Sequence, residues 1–230
     1  TLELNSSSNR AWTIDTGSEM TLQGNPFTGN VWRITSSDSI GSVGDRTVGT
    51  SSNISTAGWK ATDVISISTT GARGQTEDKI ISSVTSSDLT ITADWTNTHL
   101  SGAEICNLTR NVKIIRTGSG NNRIIVAHGC LVDWDYAYFD AIKSTSNGTG
   151  SIDIRGAGTI VTEQIDYCVF WKFAGAGTPT ADVLFVNSLP TSFSNNAFYQ
   201  SAGGNNGAFG TGVSNTDSNA AVVGLILCFS

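Results

Sequence analysis

No stretch of a dozen residues in this chain carries apolar side chains at i, i+3, i+4 and i+7, so packed amphipathic helices are not how it buries a core. Short runs of alternating character recur instead, separated by Gly, Ser, Asn and Thr. Asp63-Val64-Ile65-Ser66-Ile67-Ser68 alternates strictly, and Lys79–Val84, Asp88–Thr92 and Asn111–Arg116 read the same way. A period of two places one face of such a run inside and the other outside. Earlier strands are expected at Thr1–Leu4, Trp12–Ile14, Met20–Leu22 and Val31–Ile34. Thr35–Ala57 is rich in Ser, Gly and Thr with few apolar anchors, and reads as a long surface loop.

From Ile124 onward the pattern becomes one of short apolar strands joined by Gly- or Asn-rich linkers, among them Leu131–Trp134, Tyr136–Ile142, Ser151–Arg155, Thr159–Thr162 and Tyr167–Phe173. Two segments resemble each other: Asp135-Tyr136-Ala137-Tyr138-Phe139 and Asp166-Tyr167-Cys168-Val169-Phe170, offset by 166 − 135 = 31 residues. Self-similarity near this period marks coils that stack to bury a core that one coil cannot bury alone. Ser194-Asn195-Asn196 suits a left-handed corner, because Asn tolerates positive φ. The rival, a β-sandwich, needs tight hairpins, and its main turn candidates are Asn147-Gly148 and Asn206-Gly207. The expected fold is all-β: a right-handed parallel β-helix (solenoid) over residues 108–230, preceded by a β-rich cap over residues 1–107. The apolar run Val222–Phe229 reads as a buried strand cut off in mid-fold, so both ends are expected to be edges of a fragment or processed product.

Composition narrows the partners. Charged residues make up 14% of the chain, below the roughly 25% of an ordinary soluble domain. The net charge is −6 and the 13 basic residues are scattered, which argues against a phosphate-binding surface. Cys106, Cys130, Cys168 and Cys228 form no CxxC pair and sit among apolar residues, as buried thiols or as a disulfide between coils. No apolar run is long enough to span a bilayer.

Gly58-Trp59-Lys60-Ala61-Thr62-Asp63-Val64-Ile65, then Gln75-Thr76-Glu77, then Thr98-His99, then Leu108-Thr109-Arg110-Asn111-Val112-Lys113-Ile114 form an ordered series. It resembles the junction between the eight-glycine domain and the following β-helix. That family includes fibrocystin, the cell-surface and cell-migration-inducing hyaluronidases, and related bacterial and phage surface proteins. The resemblance covers about residues 12–116, with Thr62 where the family has Gly and Asn107 where it has the first Leu. It implies that His99 and Arg110 stand where the hyaluronidase branch has residues implicated in hyaluronan cleavage, with downstream acids completing the site.

Each motif residue also has a structural reading. Trp59 caps the start of the core or stacks on sugar; Asp63 opens a strand, where a carboxylate satisfies turn N–H groups. Gln75 and Glu77 share a face, and Glu77 is expected to pair with Arg110 across neighbouring strands, since a partly buried Arg needs an acceptor cage. Asn111 belongs to the same structural motif. Asp133 and Asp135 share a strand face and are candidates for the two carboxyl groups of glycoside cleavage. The same spacing suits a structural calcium ion, although no Gly-Gly-x-Gly-x-Asp repeat accompanies it; no other cofactor is called for. Alternation puts Trp134, Tyr136 and Tyr138 on one face, a candidate sugar-stacking strip beside Asp133 and Asp135.

These readings lead to a module of a larger adhesin, fibre or tail protein, outside the cytoplasm on a cell or virion surface. Its expected partners are a surface polysaccharide or glycan and other structural protein chains, copies of itself included, with no nucleic acid and no membrane insertion. Polysaccharide cleavage and a purely structural, self-assembling role stand as alternatives.

Overall fold

In the computed structural model of the chain, the residues described are 1–40, 44–70, 75–142, 150–155, 163–171, 181–186, 192–200, 207–212, 222–223 and 226–229. They are all-β, with one short 3-10 turn at Thr28–Asn30. The chain divides into two compact units: Thr1–Asn25 with Arg110–Leu227, and Pro26–Thr109 with Cys228–Ser230.

The first unit holds three sheets. One orders β1 (Leu2–Leu4), β10 (Val112–Arg116), β13 (Ala137–Asp140), β16 (Val169–Trp171), β19 (Ala197–Gln200) and β22 (Ile226–Phe229). The second orders β2 (Arg10–Ile14), β11 (Asn122–Val126), β14 (Gly150–Arg155), β17 (Ala181–Val186) and β20 (Gly207–Gly212). The third orders β3 (Glu19–Gln23), β12 (Leu131–Asp135), β15 (Glu163–Asp166), β18 (Ser192–Ser194) and β21 (Val222–Val223). The chain therefore visits the sheets in a fixed cycle, and neighbouring strands run parallel.

Parallel pairing at constant register turns sequence positions into columns. Ile114, Phe139, Phe170 and Phe198 are successive partners in the first sheet, and the rings of Phe139–Phe170 and Phe170–Phe198 stack at 5.2 and 4.6 Å. Trp12, Ile124, Ile152 and Val183 form the second column; Leu22, Trp134, Ile165 and Phe193 form the third. Most of these side chains are fully buried. The 31-residue self-similarity is this register, since Asp135 pairs with Asp166 and Phe139 with Phe170.

Between the third sheet and the first, three of the described corners turn on one residue of positive φ: Tyr136 (51°), Tyr167 (54°) and Asn195 (55°). The corners are stitched by Gly24 N–H to Asp135 O (2.8 Å), Tyr136 N–H to Asp166 O (3.2 Å) and Tyr167 N–H to Ser194 O (3.0 Å). Gly24 is a glycine for want of space, because a Cβ there meets Tyr136 O at 2.1 Å. Asn195 occupies the left-handed position its residue type suggested, whereas the two tyrosines do so against the usual preference.

The second unit is one antiparallel sheet, ordered β4 (Arg33–Thr35), β9 (Glu104–Asn107), β6 (Val64–Ile67), β7 (Glu77–Val84), β8 (Asp88–Ile91) and β5 (Thr47–Gly49). Trp59, Trp95, Ile65, Ile67, Leu89, Ile91 and Ile105 fill its core.

Three expectations need correction. Residues 1–25 do not belong with the cap: Leu2–Leu4, Arg10–Ile14 and Glu19–Gln23 pair in parallel with β10, β11 and β12. The parallel stack thus begins near residue 2 rather than near Leu108, whose N–H bonds Val64 O within the second unit. The physical reason is that apolar residues such as Trp12 and Met20 fit the columns of the later coils, and pairing ignores distance along the chain. Nor is Thr35–Ala57 only a surface loop, because it contains β5 and buries Ile40, Val48, Ile54 and Ala57. The strand expected at Thr159–Thr162 and the Asn147-Gly148 turn lie outside the described residues.

Candidate functional site

The outward face of the third sheet carries a ladder of polar side chains in the first unit. Val132 and Trp134 of β12 point inward, so Asp133 and Asp135, at alternate positions, point outward. Register places Thr21, Asp133, Gln164 and Ser192 in one row and Gln23, Asp135, Asp166 and Ser194 in the next. Asp133 accepts a hydrogen bond from Gln23 Nε2 at 3.1 Å. Asp166, almost fully buried, accepts from Ser192 Oγ (2.8 Å), Ser194 N–H (2.7 Å) and Ser194 Oγ (2.7 Å).

Asp135 is treated differently by its surroundings. Its Oδ1 is shielded from solvent and has no hydrogen-bond partner among the described residues. Burial, followed by the charges of Asp166 and Asp133, pushes its carboxyl up to about 6, against an opposing pull from Arg110. One row therefore holds a carboxylate saturated with donors beside one that is poorly solvated. Asp166 was not among the candidate site residues, although its place in the second Asp-Tyr repeat was the signal that could have found it.

The aromatic strip is not there. Trp134 and Tyr136 are buried at 0% and 1% exposure, and only Tyr138 is partly open. The left-handed φ at Tyr136 ends one strand at Asp135 and starts the next at Ala137, so the alternation does not carry across it. Tyr136 instead stacks on Tyr167 with centroids 4.6 Å apart and planes 3° from parallel. Tyr138 lies on the outer face of the first sheet, with Lys113 Nζ 5.4 Å from its ring centre and Trp171 at 6.4 Å.

Arg110 is 2% exposed. Its Nε donates to Tyr167 O at 2.9 Å and its guanidinium lies 5.3 Å from the centre of the Tyr136 ring. It clamps the tyrosine corner, and a polymer in solvent cannot reach it. Asn111 beside it accepts from Asn25 N–H at 2.7 Å.

The second unit buries the other motif residues. His99 is fully buried, with Nδ1 3.0 Å from Ser68 O and Nε2 3.1 Å from Glu77 Oε1. Glu77 also accepts from Thr96 N–H (2.8 Å), Thr96 Oγ1 (2.6 Å), Asn97 N–H (2.7 Å) and Lys79 Nζ (2.9 Å). Burial alone would raise its pKa; these donors outweigh it and hold the carboxyl down at about 2. Among the described residues Glu77 pairs with Lys79 and His99, in place of the expected Arg110. His99 is a buried structural group and, like Arg110, stands out of reach of a polysaccharide.

Trp59 Nε1 donates to Val31 O at 2.8 Å, and its ring packs on Phe27. Asp63 Oδ2 accepts from Lys60 N–H (3.1 Å) and from Asn107 Nδ2 (2.8 Å), so Asn107 is tied to the turn that opens β6. Thr62, which stands where the resembled family has Gly, has φ 75°. The Gln75 side chain leaves its Oε1 buried and unbonded. Among the described residues no group of three or more His, Cys, Asp or Glu is arranged to hold a metal ion, and no helix is long and apolar enough to cross a membrane.

No family model and no curated protein matches the chain. Among solved structures it is similar to the Gp54 tailspike of Acinetobacter baumannii bacteriophage AP22 in complex with A. baumannii capsular saccharide, at 11% identity and a TM-score of 0.37, over 97% of this chain and 41% of that one. It is also similar to the tailspike gp49 from Pseudomonas phage LKA1 (14%, TM-score 0.32, 95% and 37%) and to the Pseudomonas phage phi297 tailspike gp61 (13%, TM-score 0.34, 97% and 40%). The chain spans about two fifths of the length of those structures.

Proposed function

We propose that the first unit is a right-handed parallel β-helix serving as a rigid module of a larger surface protein, a fibre, tail or adhesin component, and that it contacts glycan through the outer face of its third sheet. The fixed three-sheet cycle with parallel pairing supports the solenoid, and parallel connections within one sheet are almost always right-handed. The observation that carries the glycan reading is the Thr21–Asp133–Gln164 and Gln23–Asp135–Asp166 ladder. It presents carboxylate, amide and hydroxyl groups at strand spacing, a pattern suited to the hydroxyls of a saccharide chain. The coils would carry this face on a stiff axis and pack against other structural chains.

A second reading, polysaccharide cleavage, is favoured by one feature: Asp135, held up to about 6, beside carboxyls in different environments. Glycosidases use a protonated carboxyl and an ionised one across the bond. Glycan-array binding and reducing-end release from the same panel distinguish the two. The module reading expects binding that is lost in Asp133→Asn and Asp135→Asn, with no sugar released by the native chain. Release that stops in Asp135→Asn while binding persists would establish the enzyme instead. Binding unchanged in both variants would remove this face from either role.

A further inference from the structure

The outer face of the third sheet carries charge of one sign. On β3, Met20 and Leu22 face the core, so Glu19, Thr21 and Gln23 face outward. Register sets Glu19 beside Leu131, which is 45% exposed, in a row next to Thr21 and Asp133. Across these three rows the outward charged side chains are Glu19, Asp133, Asp135 and Asp166, and no Lys or Arg stands among the described residues of the rows. Arg110, whose charge acts on Asp135, is buried and donates to Tyr167 O. Neighbouring strands lie about 4.8 Å apart and alternate residues about 6.6 Å. Any group laid on the ladder therefore sits within the screening length, about 8 Å at physiological salt, of two or more carboxyls.

We propose that the ladder selects uncharged saccharide units and rejects those that carry carboxylates, a specificity that rests on the glycan reading of this face. A sugar hydroxyl donates to a carboxylate, whereas an ionised uronic acid brings a like charge and further acceptors. The face is rich in acceptors: Asp133 takes a bond from Gln23, Glu19 takes one from Thr21 Oγ1 at 2.9 Å, and both are open to solvent on one side. Gln164 is exposed and its side chain makes no hydrogen bond among the described residues, so its amide serves a hydroxyl in either direction. Leu131 adds a small apolar spot for the C–H face of a ring. Rejection here comes from repulsion, with no added contact needed to discriminate.

The test is an array of matched pairs, each uronate-containing oligosaccharide printed beside its carboxyl-reduced counterpart, probed with the full 230-residue chain at 20 mM and 500 mM NaCl. Only binding that Asp133→Asn abolishes is scored, which confines the readout to this face. The reduced member of a pair should bind about tenfold more tightly at low salt, the cost of two like-charge contacts near strand spacing. The gap should close to about twofold at high salt, through tighter binding of the acidic member. Glu19→Gln should narrow the low-salt gap about twofold. Acidic members bound as tightly as their reduced partners overturn the selectivity and leave the glycan reading standing. So does binding confined to fragments with a free amine, which would weaken as salt rises. No binding to any pair, or binding that survives Asp133→Asn, sinks the glycan reading of this face and the selectivity with it.

Discussion

The two units solve the problem of burying β-strands in opposite ways. The first repeats one cycle of strands: the same position in successive cycles carries Phe139, Phe170 and Phe198, and buried Arg110, Asp166 and Asn196 are bonded beside its corners. The second uses each strand once, in antiparallel pairs, and ties their ends with buried polar groups. Glu77 collects His99, Lys79, Thr96 and Asn97, and Asp63 collects Asn107 and the Lys60 N–H. A repeated coil gains register from its columns. A sheet without repeats needs directional bonds to choose one register among several, and buried, fully satisfied polar groups provide such a choice.

The comparison breaks first at the columns. Phe170→Ala removes a ring stacked on both sides and is expected to cost the first unit about 4 kcal/mol. Hydrogen exchange should show protection lost across β13, β16 and β19, with the antiparallel sheet unchanged.

Glu77→Gln is the counterpart in the second unit, expected to cost about 3 kcal/mol because Lys79 and His99 keep their places without the carboxylate. The sign of the acid dependence follows from its depressed pKa. Its contribution is complete above the ordinary value of 4.5 and is lost as pH falls through about 2. Acid titration followed by Trp fluorescence should therefore show a loss of stability between those limits that the Gln variant lacks.

Asp135→Asn sharpens the contrast in the other direction, since the Asp135 carboxyl is partly desolvated and its Oδ1 has no hydrogen-bond partner among the described residues. A carboxyl raised to about 6 contributes stability below its ordinary 3.8 and loses it as pH rises through 6. The Asn variant should melt about 2–4 °C higher at pH 7, corresponding to roughly 1 kcal/mol, with little difference at pH 3. The smallest effect is expected from Thr62→Gly. It relieves a β-branched residue at φ 75° and should stabilise the second unit by up to about 1 kcal/mol, because the more flexible unfolded chain offsets part of the relief. A denaturant midpoint shift at constant m-value checks it.

Strand content was legible along much of the chain, because alternation survives wherever one face is buried; Val64–Ile67 and Val112–Arg116 fall within one residue of their expected positions. The site was legible only in part. Spacing places Asp133 and Asp135 on one strand face, and their outward direction follows from Val132 and Trp134 on the other face. Tyr136 was misread because alternation was carried through a corner. Asp135-Tyr136 and Asp166-Tyr167 look like strand sequence, and nothing local distinguishes a tyrosine that takes positive φ.

From residue types alone came the all-β class, the 31-residue period, the left-handed Asn195 and the placement of Asp133 and Asp135 on one face, since each depends only on neighbours in the chain. Tertiary structure alone decided that residues 2–23 join the coils that resume after residue 110, that Asp166 stands beside Asp135, and that Glu77 takes Lys79 and His99 as partners. Those outcomes depend on which strand lies alongside which, and parallel pairing brings together residues whose separation along the chain leaves no local trace.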